Sequence, residues 1–395
     1  MKFADRLSLL EDDSLLKAFE LKETKDMISF AAGCPSSETY PLDAIRESMD
    51  RVIKNQGGAA LSYCSTSGYI GLREIMRDRM QKKFSINYDL DEIIITSGSQ
   101  QGLDMSGMLF VNQGDVVLFE SPSYLGAVNA LRAYQAELVS VPTDRDGIKI
   151  EDLKKTLDKY KERVKMIYVN PDFQNPTGRS WSDQRRKDFM EFMADYEIPV
   201  LEDAAYGELS FEEKLQKPLA HYDTKGQVVY VGTFSKIFCP GLRVAWLCAR
   251  RPIMEKYLVL KNAADLSSST IAQMQMADYL EHNDIDLHIE KINKIYKERR
   301  DIMVSRITAE FPKEVHFIVP KGGLFIWLEL PEGKDGRELL RRAIKENVSF
   351  IPGTSFYPSG IKNNEVRLNF SNMSKDEIAK GMAILGRLTR QYLVK

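Results

Sequence analysis

Between positions 93 and 249 the chain repeats one pattern, a short run of β-branched and apolar residues followed by a longer stretch with apolar positions at helical spacing. The apolar runs fall at 93–96, 116–120, 137–141, 166–170, 199–203, 228–234 and 243–249. Several are apolar almost from end to end, which suits strands covered on both faces. Such runs alternating with helical patterns predict a largely parallel sheet with crossover helices.

Beyond about residue 285 the pattern changes. A long charged helical stretch at 286–310 precedes strand-like runs at 315–319, 323–330, 348–351 and 365–370, with further helical patterns at 337–346 and 375–394. The last of these has a start signal, since Ser374 followed three residues later by Glu377 forms a capping box. Ile378, Met382, Leu385 and Leu388 then recur on one face of that helix. The expected fold class is α/β, with a large domain at 41–285 built on a mostly parallel seven-stranded sheet and a smaller α+β domain at 286–395. Residues 1–40 hold no strand of the main sheet, so they are expected to form an arm and helix packing on the small domain or a partner subunit.

Length supports the two-domain division, because 395 residues exceed what one small core organises. A formal net charge of -2 removes any broad electrostatic case for nucleic acid or an anionic membrane. The four cysteines, at 34, 64, 239 and 248, have no metal-ligand spacing and read as reduced thiols. No signal-peptide core lies in the charged first 20 residues, and no apolar run approaches the roughly 20 residues a bilayer span needs. A soluble cytoplasmic protein without metal is the expectation.

Candidate chemistry concentrates at strand ends. Residues 93–102 read as strand, small-residue turn and helix start, and the free N–H groups of a helix start suit a phosphate. Ordinary capping by Ser97 or Ser99 is an equal alternative there, and neither a Walker loop nor a GxGxxG fingerprint is present. Ser235 and Arg243 could supply further phosphate contacts. Asp203 ends an apolar strand and so emerges at the sheet edge where α/β proteins place ligands. Tyr206 and Asn175 could reach a ring hydroxyl, although Asn175-Pro176-Thr177-Gly178 is also a plain turn sequence. Tyr124 could stack on a ring or simply fill the core. Lys236 needs a lowered pKa to act as a nucleophile, and partial burial with the charge of Arg243 would push it that way. Lysine, acid and arginine together match the needs of pyridoxal phosphate: an amine for its aldehyde, an anion for its ring nitrogen and a cation for its phosphate.

The motifs run in one order along residues 33–370. They are Gly33-Cys34-Pro35, Leu61-Ser62-Tyr63 through Gly68 to Leu72-Arg73-Glu74, Gly98-Ser99-Gln100-Gln101, and Phe173-Gln174-Asn175-Pro176-Thr177-Gly178. Glu202-Asp203 with Tyr206 follows, then Phe234-Ser235-Lys236, Pro240-Gly241-Leu242-Arg243, Gly322-Gly323-Leu324-Phe325-Ile326-Trp327, Pro352-Gly353 and Arg367-Leu368-Asn369-Phe370. In this the chain resembles the fold type I pyridoxal-phosphate-dependent aminotransferases of class I/II. Within them it is most similar to the branch of 2-aminoadipate and kynurenine aminotransferases and MocR-type catalytic domains.

The resemblance implies that Lys236 is the Schiff-base lysine, Asp203 the partner of the ring nitrogen, Asn175 and Tyr206 the ring-oxygen contacts and Tyr124 the stacking ring. It implies that Ser99, Gln100, Ser235 and Arg243 hold the phosphate, with Tyr63 reaching the neighbouring subunit's site in a homodimer. Arg367 would clamp the substrate carboxylate with Asn175 and the Gly33 backbone. Residue chemistry alone leaves Arg367 open between this role and a solvated strand-edge charge. Cys34 and Cys239 are less usual beside such a site and are read as small buried residues.

Transamination from an aromatic, branched-chain or 2-aminoadipate-like L-amino acid to a 2-oxo acid, 2-oxoglutarate by family habit, is the expected activity. A carbon–sulfur β-lyase keeps the same anchors and is the alternative. A MocR-like regulator would carry a DNA-binding domain ahead of the first motif, and the 32 residues before Gly33 are too few for one. The side-chain pocket is expected from 15–40, where Lys22 or Lys25 would greet an acidic side chain or remain solvated.

Overall fold

The computed structural model describes residues 1–10, 26–212, 214–358 and 362–394. Positions 15–25 of the expected side-chain pocket, with Lys22 and Lys25, therefore lie outside the described residues.

Its strands, in chain order, are β1 (Ile28–Ser29), β2 (Ile93–Thr96), β3 (Val116–Ser121), β4 (Glu137–Asp144), β5 (Gly147–Ile148), β6 (Val164–Val169), β7 (Val200–Asp203), β8 (Val228–Thr233), β9 (Ala245–Cys248), β10 (His316–Phe317), β11 (Phe325–Glu329), β12 (Val348–Ser349), β13 (Ile351–Pro352) and β14 (Glu365–Asn369). The large sheet has the order β2-β9-β8-β7-β6-β3-β4-β5. The seven expected strands are all in it, joined by the two-residue edge strand β5, which turns back antiparallel on β4. The pairs β3/β4, β3/β6, β6/β7 and β7/β8 are parallel, whereas β9 runs antiparallel to both its neighbours.

Successive residues of these strands point to opposite faces. Ile93, Ile95, Leu118, Ile167 and Val200 enter one apolar cluster, while Ile94, Val117, Phe119, Tyr168, Leu201, Val229 and Val231 enter another. With both faces covered, the runs are apolar throughout.

The smaller sheet, β10-β11-β14-β13, is antiparallel throughout, and β1 pairs with β12 in parallel beside it. The run expected as one strand at 348–351 is divided. Ser349 pairs with Ser29 and Ile351 with Arg367, so the chain changes partner at Phe350, which no local apolar pattern can reveal. The helix Ile285–Glu310 packs on Lys375–Leu393. The Ser374–Glu377 capping box is formed, and Ile378, Met382, Leu385 and Leu388 are buried. Among the described residues no helix is long and apolar enough to cross a membrane.

Because β2, β3, β6, β7 and β8 are co-parallel, their C-terminal ends share one edge of the sheet. The reversed strand β9 instead brings its beginning to that edge, with Ala245 facing both Thr96 and Thr233. Arg243, two residues earlier, thus arrives beside the ends of β2 and β8.

Candidate active site

The turn after β2 forms the first part of the site. Gly98 adopts φ +79°, and the helix Ser99–Phe110 begins there without a side-chain cap. Ser97 caps nothing, since its hydroxyl donates to Ser268 Oγ at 3.0 Å, so no side chain caps the N–H groups that open the helix. A Cβ on Gly98 would lie 2.0 Å from Arg243 Nη2, which places the guanidinium directly over the turn. Arg243 itself has φ +54° and donates from Nη1 to Ser235 Oγ at 3.4 Å. Gln100 uses its side chain elsewhere, donating to Gly126 O at 2.8 Å behind Tyr124.

Sequence reasoning missed what braces this turn. Ser97 N donates to Gln101 Oε1 at 2.8 Å, and Gln101 Nε2 donates to Asp265 Oδ2 at 2.7 Å. Lys261, fully buried, pairs with Asp265 and donates to Ser268 Oγ at 3.0 Å. A Lys–Asp pair four residues apart on a helix is normally a solvated pair; here Lys261 is buried and its partners Asp265 and Ser268 bond to Gln101 and Ser97 of the turn.

Asp203 ends β7 and is 4% exposed. Its Oδ2 accepts from the Tyr168 hydroxyl at 2.8 Å, whereas its Oδ1 is buried with no hydrogen-bond partner. Burial pushes its carboxyl up to about 6, against the pull of Tyr168, the Ala205 main chain and Lys236. Lys236, past the end of β8, donates from Nζ to Gly33 O at 2.8 Å. Burial is the main cause that lowers its pKa; the nearby Cys34 and Asp203 oppose this, and Arg367 and Arg243 assist. The expected push from Arg243 is thus real but secondary.

Asn175 joins the two halves of the site. Its Nδ2 donates to Tyr206 Oη at 3.3 Å, and its Oδ1 accepts from Arg367 Nη1 at 2.7 Å. The loop that carries it is tied down by residues not anticipated: Asn175 N donates to Asn170 Oδ1 at 2.9 Å, and Asn170 N to the buried Glu120 at 2.6 Å. Tyr124 is half-buried, and its phenol is pushed up to about 12 by burial first and then by Asp203.

Arg367, on β14, is 1% exposed and donates also to Ala31 O. Its guanidinium lies 4.4 Å from the Phe325 ring centroid and 4.9 Å from that of Phe356. It forms no ion pair with a carboxylate among the described residues, its Nε has no partner, and burial lowers it to about 10. A Cβ on Gly33 would meet Phe325 Cζ at 2.7 Å, so glycine lets the main chain approach both Lys236 and this arginine.

Tyr63 stands apart at 87% exposed. Cys239 is buried and its thiol pushed up to about 12 by that burial, as a small core residue would be. Cys34 is half-buried, with its carbonyl accepting from Ser371.

One edge thus presents an uncapped helix start under an arginine, a buried carboxylate oxygen without a donor, and a lysine held as a weak base. The family model for aminotransferase class I and II matches residues 25–385. The chain belongs to that family. It is 35% identical to the aromatic-amino-acid aminotransferase 1 of Thermococcus litoralis, over 100% of this chain and 95% of the relative. It is 34% identical to the 2-aminoadipate transaminase of Thermus thermophilus, over 97% of this chain and 95% of the relative. The crystal structure of Pyrococcus horikoshii kynurenine aminotransferase, a complex with PMP, superposes with TM-score 0.94 at 35% identity and covers 99% of this chain and 97% of that one. The aminotransferase is therefore a fold type I, pyridoxal-phosphate-dependent enzyme. Its residues fit that cofactor: the unpartnered Asp203 Oδ1 suits a ring N–H, and the glycine at 98 lets the Arg243 guanidinium lie against an uncapped helix start, a pairing that suits a phosphate.

Proposed function

We propose that this aminotransferase takes the amino group of an aromatic, branched-chain or 2-aminoadipate-like L-amino acid and passes it to a 2-oxo acid, 2-oxoglutarate foremost. The observation that carries the substrate side is Arg367, a buried guanidinium with no acidic partner among the described residues. Every α-amino acid and every 2-oxo acid brings the carboxylate that it lacks, and the flat guanidinium meets that group in a bidentate way. Asn175 and the main chain near Gly33 orient it. The names of the relatives support the aromatic and 2-aminoadipate classes of donor.

On the cofactor side, Ser99 and Gln100 at the helix start, with Ser235 and Arg243, would hold the phosphate. Asp203 would hold the proton on the ring nitrogen, Asn175 and Tyr206 would bond the ring oxygen, and Tyr124 would cover the ring face. Bound pyridoxal phosphate supplies an aldehyde for the amino group and a ring that withdraws the electrons left at Cα. Lys236 moves the proton to and from Cα, and its burial favours the neutral amine that this requires. Tyr63, exposed on this chain, would complete the phosphate site of a second subunit in a homodimer. The division at residues 40 and 285 into arm, large domain and small domain belongs to the same proposal, as does a cytoplasmic location.

The test begins with Lys236→Ala. Wild-type protein incubated with pyridoxal phosphate should acquire visible absorbance and transaminase activity, and the variant should lose both. A wild-type protein that stays colourless refutes the assignment of Lys236. A panel of amino donors against 2-oxoglutarate and pyruvate then identifies the donor class, and release of sulfide or ammonia in place of a new amino acid would point to lyase chemistry.

A further inference from the structure

Asp203 does not stand alone at the edge of the sheet. Tyr168 lies on β6, where it faces Leu201 of β7 in register and Phe119 of β3 on its other side. Its side chain and that of Asp203 emerge on the same face, two residues apart along the parallel pair. Tyr168 is fully buried, its ring packs at 5.3 Å from that of Phe119, and its hydroxyl donates to Asp203 Oδ2. Burial, then the neighbouring Asp203, raises the Tyr168 phenol well above its ordinary range, so it stays protonated and has a proton to donate to the carboxylate.

We propose that Tyr168 is a positioning residue for the cofactor: by occupying Oδ2 it fixes the carboxylate rotation and reserves Oδ1 of Asp203 for the ring nitrogen. This rests on the assignment of Asp203 made above and extends it. The buried carboxylate has Oδ2 bonded by the Tyr168 hydroxyl and Oδ1 without a hydrogen-bond partner, with the Ala205 main chain also favouring its ionised form. Asn170 reinforces it from the end of β6 by donating to the Asp203 main-chain oxygen at 2.6 Å. The bond has a second effect, since it stabilises the ionised form of a carboxyl that burial otherwise favours as neutral. A neutral carboxyl cannot keep a pyridine nitrogen protonated. The other groups facing Asp203 are Tyr124 from the turn after β3, Tyr206 beyond β7 and Lys236 beyond β8. Among the described residues the Tyr168 hydroxyl is the side-chain donor that bonds the Asp203 carboxylate.

Tyr168→Phe removes one oxygen and keeps the ring against Phe119. The variant should show kcat lower by about tenfold with KM for the amino donor within about twofold, the scale of one hydrogen bond to a charged group. Independently of turnover, the affinity of the apoprotein for pyridoxal phosphate should be measured between pH 5 and 8. Wild-type affinity should fall as pH drops through about 6, where Asp203 gains its proton, and in Tyr168→Phe this fall should begin at higher pH. In an Asp203→Asn background, Tyr168→Phe should change neither the rate nor the pH midpoint further, which also decides the matter if the single variant is poorly stable. Wild-type kcat and midpoint in Tyr168→Phe, or an undiminished effect in the Asp203→Asn background, would reduce Tyr168 to a core residue. Near-normal turnover in Asp203→Asn itself would instead remove the assignment of Asp203.

Discussion

Two buried arginines set the structural parts of this molecule apart from its site. Arg186, fully buried, donates to both oxygens of Asp172 at 2.6 and 3.3 Å and to the carbonyls of Pro171, Trp181 and Lys217. Burial alone would lower its pKa, but Asp172 outweighs it and the net shift is upward. Arg367 is as deeply buried, has an asparagine and a carbonyl for partners, and is shifted down. Adjacent carboxylates repeat the contrast. Glu202 points to one face of the sheet and accepts from Leu219 N at 2.7 Å and Ala220 N at 3.0 Å, one bond for each oxygen. Asp203 points to the other face with Oδ1 unmatched. A buried ionisable group without a full set of partners is costly, and Asp203 and Arg367 are such groups where a bound ligand would supply what is missing.

The largest effect should separate the two carboxylates. Asp203→Ala should lower kcat by about 10²–10³-fold while the melting temperature holds, because an electrostatic group lost from a site costs rate on that scale. Glu202→Ala strands two buried N–H groups and should cost about 2 kcal/mol or more of stability, with near-normal turnover in the protein that remains folded. Parallel melting curves and steady-state kinetics check both. Equal loss of stability in the two variants would break the comparison.

The arginines should diverge by somewhat less in rate. Arg367→Ala should lower kcat/KM on the order of 100-fold, and by a similar factor for every amino donor, because the α-carboxylate is common to all. Its stability should be unchanged or improved, since an uncompensated buried charge has gone. Arg186→Ala leaves Asp172 buried and unpaired and should lose about 3–5 kcal/mol in a denaturant titration. A rate effect of Arg367→Ala confined to one side-chain class would move that residue from the carboxylate to the specificity pocket.

The site residues legible in the sequence are those that follow an apolar run, because the end of a strand fixes their position whatever the rest of the chain does. Asp203 after 199–202, Ser97 and Gly98 after 93–96, and Lys236 after 228–234 are of this kind. Arg243 was readable only through its motif, since its place depends on β9 running antiparallel. Tyr168 was not readable: within Met166–Val169 it resembles a core aromatic, and its partner is set by the register between β6 and β7. Lys261 was hidden for the opposite reason, because its partners Asp265 and Ser268 are tied to Gln101 and Ser97, distant in sequence. Tyr63 is informative only if a second chain is supplied.

The smallest effect concerns pH and again sets Asp203 against Glu202. Burial pushes Asp203 up to about 6 and both Glu202 and Glu120 up to about 7. A carboxyl raised above its unfolded value contributes stability that is full below about pH 4 and is lost as pH rises through the folded pKa. His288, whose pKa is lowered by burial and then by Lys291, acts in the opposite direction in the same range, and paired carboxylates such as Asp286, lowered to about 2, act only at much lower pH. Melting temperatures of apoprotein and of protein saturated with pyridoxal phosphate, taken from pH 5 to 8, hold these common contributions fixed. A protonated ring nitrogen would offset the charge of Asp203 and leave Glu202 and Glu120 untouched. The gap between the two melting curves should therefore widen as pH rises through about 6, with a smaller increase in Asp203→Asn, where any remaining change reflects the cofactor's own ionisation. A gap that widens equally in wild type and Asp203→Asn would show that the ring nitrogen draws nothing from this carboxylate.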